Sequence, residues 1–261
     1  MVARVLAAAA LAGLATAATG QRPPVTARYR VEQTLTQSMD ASAAGQGKQS
    51  MSFSTHSFLS LTLTDSAGGR SVRMVVDSMR GDSAAPVPVA VFDSAKGAEF
   101  HAFLNPAGKL GDLEAVNTTP AALRVQGFLT DFFPWVKPGG VKPGESWADT
   151  SSKATTNGTD SVVVKRITTY RVVGKEARNA RKALRVASEY NSNVAGTQPT
   201  PNGPARIEGT GKGTGTYFVT PDGQYLGGDW QLRSSLTISG AFAAEPLPIT
   251  ITQVTKVTAL Q

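Results

Sequence analysis

The chain has 261 residues, 41% of them apolar, a formal net charge of +7 and no cysteine. An all-β fold of this length can be one domain. The absent thiols exclude a cysteine nucleophile, a zinc–thiolate or iron–sulfur centre and a disulfide framework, and the basic surplus suits solubility and weak contact with anionic surfaces.

Residues 1–20 read as a secretory signal peptide. Arg4 gives a positive start, an apolar run follows from Val5 to Thr19, and small residues lead into Gln21-Arg22-Pro23-Pro24, with candidate cuts after Ala17, Ala18 or Gly20. The run is too short for a stable membrane anchor, and no cysteine follows it to carry a lipid. The expectation is a periplasmic or extracellular protein that does not span a membrane after cleavage, with residues 21–261 as a single all-β domain.

Most of that domain alternates with period two. Val25, Ala27, Tyr29, Val31 and Leu35 alternate with polar residues, and so do Leu59, Leu61 and Leu63. Val72, Met74 and Val76 follow the Gly68-Gly69 turn, which predicts a hairpin over 57–78. Further strands are expected at 87–92, 99–104, 161–173, 183–190, 205–220, 224–239 and 247–258. Alternation of this kind gives one buried and one wet face, as in antiparallel sheets. Long twisted strands in such number curl. The predicted fold class is therefore mainly β: a curved open half-barrel or barrel-like sheet with one central amphipathic helix.

That helix is expected over 120–133. Thr119 can cap it and Pro120 suits its first turn. Ala121, Ala122, Val125, Phe128, Leu129, Phe132 and Phe133 share one face, with Arg124, Gln126, Thr130 and Asp131 pointing away, and Pro134 ends it. Its apolar face is expected to lie on the concave side of the sheet. A loop at 136–144 leads to Glu145-Ser146-Trp147 and a second set of strands. The stretch 175–185 is read as a hairpin turning near Asn179, and 197–204 as a flexible connection.

The most unusual local pattern is Gly209, Gly211, Gly213 and Gly215, with Thr210, Lys212 and Thr214 between them. In a strand the four glycines fall on one face, which calls for strong curvature or a close approach by the helix or a ligand. A phosphate-binding loop does not fit, because Gly213 follows Lys212 where Ser or Thr belongs and no helix starts there. His56 and His101 sit in strand patterns without carboxylates at metal-ligand spacing, so no metal site and no cofactor are expected. No Gly-x-Ser-x-Gly occurs, and the scattered Asp and Glu fit turns. Lys175, Arg178, Arg181, Lys182 and Arg185 form the densest basic cluster, a candidate contact for an anionic envelope surface. Without interleaved aromatics it does not suggest nucleic-acid binding. An outer-membrane barrel needs an apolar band on every strand, which 205–216 lacks.

Long strands, the apolar segment 120–133, Val141-Lys142-Pro143-Gly144-Glu145-Ser146-Trp147, and the glycine-rich strand before Tyr217-Phe218-Val219 and Asp222-Gly223 together resemble the LolA/LppX-like lipoprotein-carrier superfamily. The resemblance implies an open half-barrel that holds acyl chains under helical lids, although only one helix is legible here. No functional residue of the carriers maps onto this chain. The expectation is a non-enzymatic binding or carrier protein for a lipid or other amphiphile, with Val125, Phe128, Leu129, Phe132, Phe133, Gly211 and Gly213 lining the ligand. A structural or surface-interaction module of the envelope is the alternative, and a hydrolase the second alternative.

Overall fold

The computed structural model describes residues 24–42, 47–85, 88–116, 126, 129, 132–136, 140–157, 160–178, 180–200, 203–240 and 245–260. Residues 1–20, read above as a signal peptide, lie outside the described residues. Eleven strands appear among those described: β1 (Val25–Ala41), β2 (Gly47–Ser66), β3 (Gly69–Gly81), β4 (Glu99–Leu104), β5 (Glu114–Ala115), β6 (Ser146–Asn157), β7 (Asp160–Arg178), β8 (Arg181–Thr200), β9 (Gly203–Val219), β10 (Tyr225–Gly240) and β11 (Leu247–Leu260). They form one antiparallel sheet in the order β5-β4-β3-β2-β1-β11-β10-β9-β8-β7-β6. Two meanders, β1–β5 and β6–β10, are thus joined by the last strand, which pairs with β1 on one side and β10 on the other.

The sheet is open, with β5 and β6 at its edges. It nevertheless bends far enough for side chains to tie the two edges together. Lys109, in the turn before β5, donates to Asp149 Oδ1 at 2.8 Å and to the Thr150 carbonyl at 3.3 Å on β6. Lys153 and Asp112 approach to 3.6 Å beside this pair.

Between the edge strands the chain must cross from one side of the sheet to the other. Part of this crossing, Leu129, Phe132 and Val141, is buried in the same core as Tyr29 of β1, Leu59 and Leu61 of β2, and Val257 of β11. These three side chains therefore pack against the sheet face, burying their apolar surface there.

Several expectations need correction. The predicted strand at 87–92 is a short helix, α1 (Val89–Asp93), packed on β3 with Phe92 buried. A run as short as Val-Ala-Val-Phe fits either period, and Pro88 before it favours a helical start. The helix expected over 120–133 is not established as a unit. Gln126 and Leu129 have helical backbone, Phe132 and Phe133 lie in a bend, and its other residues fall outside those described. Gln126, expected off the apolar face, donates its side-chain amide to the Leu113 carbonyl. The connection at 197–204 is much shorter than expected, since β8 runs to Thr200 and β9 begins at Gly203, with Pro199 opposite Pro204. Proline is tolerated there because the hairpin end needs few ladder donors. The hairpin over 175–185 is present. Arg178 faces Arg181, Ala180 has a φ of +58°, and Asn179 lies outside the described residues.

Candidate functional site: a half-filled trough

Alternation places Tyr29, Leu59, Tyr170, Tyr217, Trp230 and Val257 on the inner side of the sheet, all 9% exposed or less. The crossing segment fills the space in front of them with rings. Phe132 meets Tyr29 edge-on at 5.1 Å and Phe133 at 4.5 Å, and Tyr29 stacks on Tyr225 at 5.7 Å. Polar atoms in this block are largely bonded. Tyr29 donates its hydroxyl to the Tyr225 carbonyl at 3.0 Å, and Trp147 its indole N–H to the Trp135 carbonyl at 2.9 Å. Burial pushes the Tyr170 hydroxyl pKa up to about 12 and drives those of Tyr29 and Tyr225 higher still.

Further along the same strands the inner face changes character. Leu35 and Met39 of β1, Phe53 of β2, Val164 of β7, Val194 of β8, Ile207 of β9, Leu236 of β10 and Ile251 of β11 face inward but are only half-buried. Apart from strand-to-strand pairing, the main packing between described elements is α1 on β3, with Phe92 over Gly81 at the level of Thr55. Among the described residues, nothing covers this part of the concave face. It forms a trough floored by seven strands and closed at its inner end by the aromatic block.

The glycine stripe crosses the trough floor. A Cβ on Gly213 would lie 2.1 Å from Tyr190 Cε1 and 2.4 Å from the Gln231 carbonyl oxygen. On Gly211 it would lie 2.5 Å from Ser192 Oγ and 3.0 Å from Ser234 Oγ. The glycines admit close approach by the neighbouring strands β8 and β10, rather than by the helix or a ligand as expected. The Tyr190 ring occupies the space above Gly213.

Where the block meets the trough there is a cavity of about 40 Å³, lined by Phe133, Arg166, Thr168, Tyr170, Ser188, Tyr190, Tyr217, Trp230 and Leu232. The Arg166 guanidinium lies 5.4 Å from the centre of the Tyr190 ring, a cation–π arrangement that holds the ring. The Trp230 indole N–H is buried and has no hydrogen-bond partner among the described residues. A larger space of about 320 Å³ is an open groove on the outer face, where Glu189, Lys212 and Arg233 mix both signs of charge.

Of the residues expected to line a ligand, Leu129 and Phe132 are buried in the aromatic block, and Phe133 borders the cavity. Gly211 and Gly213 lie on the trough floor, while Val125 and Phe128 are outside the described residues. The basic cluster sits on the β7–β8 hairpin at the block end. Arg178 is held by Glu176 at 3.3 Å and stacks on Phe218, and Arg181 donates to Gln224 at 2.7 Å. His56 and His101 are exposed on the outer face, where His101 and Arg73 share Glu99, whose carboxyl they hold down at about 2. No cluster of three potential metal ligands occurs among the described residues. No described helix is long and apolar enough to cross a membrane.

Sequence reasoning missed Arg166, Tyr190 and the uncovered aliphatic rows. Arg166 lies among Val163, Val164, Lys165 and Ile167, so the period-two pattern alone does not say which side it takes. Register against Ser192 and Gly211 settles it. The chain matches no protein-family model and no curated protein.

Proposed function

We propose that the protein is an exported, non-enzymatic binding or carrier protein for a hydrophobic or amphiphilic ligand, held in the uncovered half of the trough. The observation that carries the reading is the half-exposed aliphatic inner face of strands buried deeper along their length. Half-exposed aliphatic side chains on a concave face, here interspersed with Gln37, Gln253, Ser192 and Ser234, suit a hydrophobic or amphiphilic ligand. The resemblance to the lipoprotein-carrier superfamily supports the same reading, since its half-barrels hold acyl chains. The ligand position differs from the one read in the sequence: it lies beyond the crossing segment, because Leu129 and Phe132 are consumed by the aromatic block.

Mass spectrometry of lipid extracts from protein purified from its native host tests this. A bound amphiphile at near-stoichiometric amount is the expected result. Empty protein that also takes up no fluorescent fatty-acid probe overturns the reading. One observation favours a second reading, a structural or surface-interaction module without a small ligand. Among the described residues, Leu129, Phe132 and Val141 pack tightly on the sheet, with a cavity of about 40 Å³ beside Phe133. The basic hairpin of Lys175, Arg178, Arg181, Lys182 and Arg185 is the surface such a module would turn toward anionic envelope components.

A further inference from the structure

The outer face of the sheet has a pattern of its own. Residues directly opposite on neighbouring strands share a face, so register turns the outward side chains into rows that cross the strands. One row runs from Ser52 on β2 through Thr36, Thr252, Arg233 and Lys212 to Asn191 on β8. The next runs from Ser50 through Ser38, Thr250, Ser235 and Thr210 to Asn193, with Lys165 following on β7. Together they make a lane across seven strands, about 29 Å at ordinary strand spacing. Hydroxyl and amide side chains fill it around three cations, and it holds no carboxylate. The acids stand in the flanking rows: Glu189 on one side, and on the other Glu208, bonded to Arg206, and Asp40, which has Lys48 at 3.7 Å.

Two of the cations are placed at a cost. Arg233 lies directly opposite Lys212 on the neighbouring strand, and like charges so opposed are destabilising. Both are exposed, and neither has an ion-pair partner among the described residues. Lys165 is likewise exposed and unpaired there. The basic hairpin differs, since Glu176 and Phe218 engage Arg178 and Gln224 engages Arg181. Arg233 and Lys212 also line the open groove of the outer face, where Gln231 and Asn191 add amide donors. Glu189 reaches this groove from the Thr214 side, which leaves the Thr210 side to an anion.

We propose that this lane binds a linear anionic polysaccharide, its carboxylate or sulfate groups on Arg233 and Lys212 and its hydroxyls along the Ser, Thr and Asn side chains. Charge complementarity picks the occupant. The carboxylate-free strip is narrow and bordered by acids, which suits a single chain rather than a broad charged surface. The outer side of a sheet whose edges are tied together on the inside is convex, so a planar bilayer touches only a few strands while a flexible chain follows them all. The lane has no aromatic side chain on which bases could stack. This site lies on the opposite face from the trough and does not depend on the ligand proposed there.

The test uses the full chain with polygalacturonate, dextran sulfate, uncharged dextran and phosphatidylglycerol vesicles, read by titration calorimetry at low and high salt. Both anionic polysaccharides are expected to bind and to weaken as salt rises, and dextran not to bind. A formal charge of +7 draws any polyanion somewhat, so the variants decide. Arg233→Gln and Lys212→Gln are each expected to lose about two- to fivefold in affinity, and the double variant about tenfold. Without polyanion each is expected to keep or raise the thermal midpoint, because it removes a repulsion, and this checks that it is folded. Unchanged polysaccharide binding by the double variant overturns the proposal. So does an equal or larger loss in Arg178→Gln or Lys182→Gln, which moves the contact to the hairpin, or binding of vesicles with neither polysaccharide. Should the double variant not fold, wild-type amide NMR shifts on adding polygalacturonate decide: they are expected around Thr210, Lys212, Arg233 and Ser235, and shifts confined to other strands overturn the assignment.

Discussion

Single residues in this protein are costly where neighbouring strands press in. At Gly213 a methyl group collides with a ring and with the Gln231 backbone oxygen, and the backbone cannot yield cheaply. Gly213→Ala is expected to destabilise by about 1–3 kcal/mol, read as a fall in denaturation midpoint. Gly211→Ala meets two serine hydroxyls that rotate freely and is expected to cost less. The four-glycine stripe pointed to curvature or to approach by the helix or a ligand, whereas the group pressed on Gly213 is the Tyr190 ring of the neighbouring strand. Of the chain's five tyrosines, Tyr29, Tyr170 and Tyr225 are held neutral by burial. Their folded values lie above the ordinary 10, so their contribution is full below pH 10 and is lost as pH rises toward 12 and beyond. Tyrosinate absorbance at pH 11 is expected to show these three unionised in folded protein, and stability to decline steadily from pH 10 upward.

Elements show what the period-two pattern can and cannot carry. The alternation from Val25 to Leu35 and from Leu59 to Val76 translates directly into β1, β2 and β3, because each strand buries one face. In the first half of β2, Met51 and Phe53 face inward and alternate with Ser50, Ser52 and Ser54, which pair with β1 through hydroxyl contacts such as Thr36 Oγ1–Ser52 Oγ at 2.9 Å. Two apolar positions are too few to fix the period of such a strand from sequence. The strand read at 87–92 failed for the opposite reason: apolar residues were present, but over too few positions to fix a period. The β7–β8 hairpin was legible from its flanking valines, although its turn places Ala180 at a φ of +58°, which an alanine adopts only under strain. Ala180→Gly is therefore expected to stabilise the chain by about 0.5–1 kcal/mol, measured as a raised thermal midpoint.

At the scale of the whole molecule, fold class was readable and strand order was not. Nothing local in 247–258 says that this segment sits at the centre of the sheet, because pairing partners more than 200 residues apart leave no mark on periodicity. The register Gln33 opposite Thr255, with the Gln33 amide donating to Thr255 Oγ1 at 3.3 Å, places two buried polar groups where each satisfies the other. This favours one alignment of first strand on last. A chain ending at residue 246 is expected to lose cooperative unfolding altogether, since β1 and β10 would each present a bare edge and the two meanders would have no common sheet. Circular dichroism during urea titration checks this: a broad, non-sigmoidal loss of signal in place of one sharp transition.

That central position of β11 also governs timing. Synthesis delivers two half-sheets first, each with a long unsatisfied margin, and the native sheet cannot lock until β11 has emerged. Completion waits on a contact between opposite ends of the polypeptide, the slowest kind of loop to close. For a chain proposed to leave the cytoplasm, this delay has a use. Until β11 pairs with β1 and β10, the two meanders share no sheet and the chain stays short of its native state.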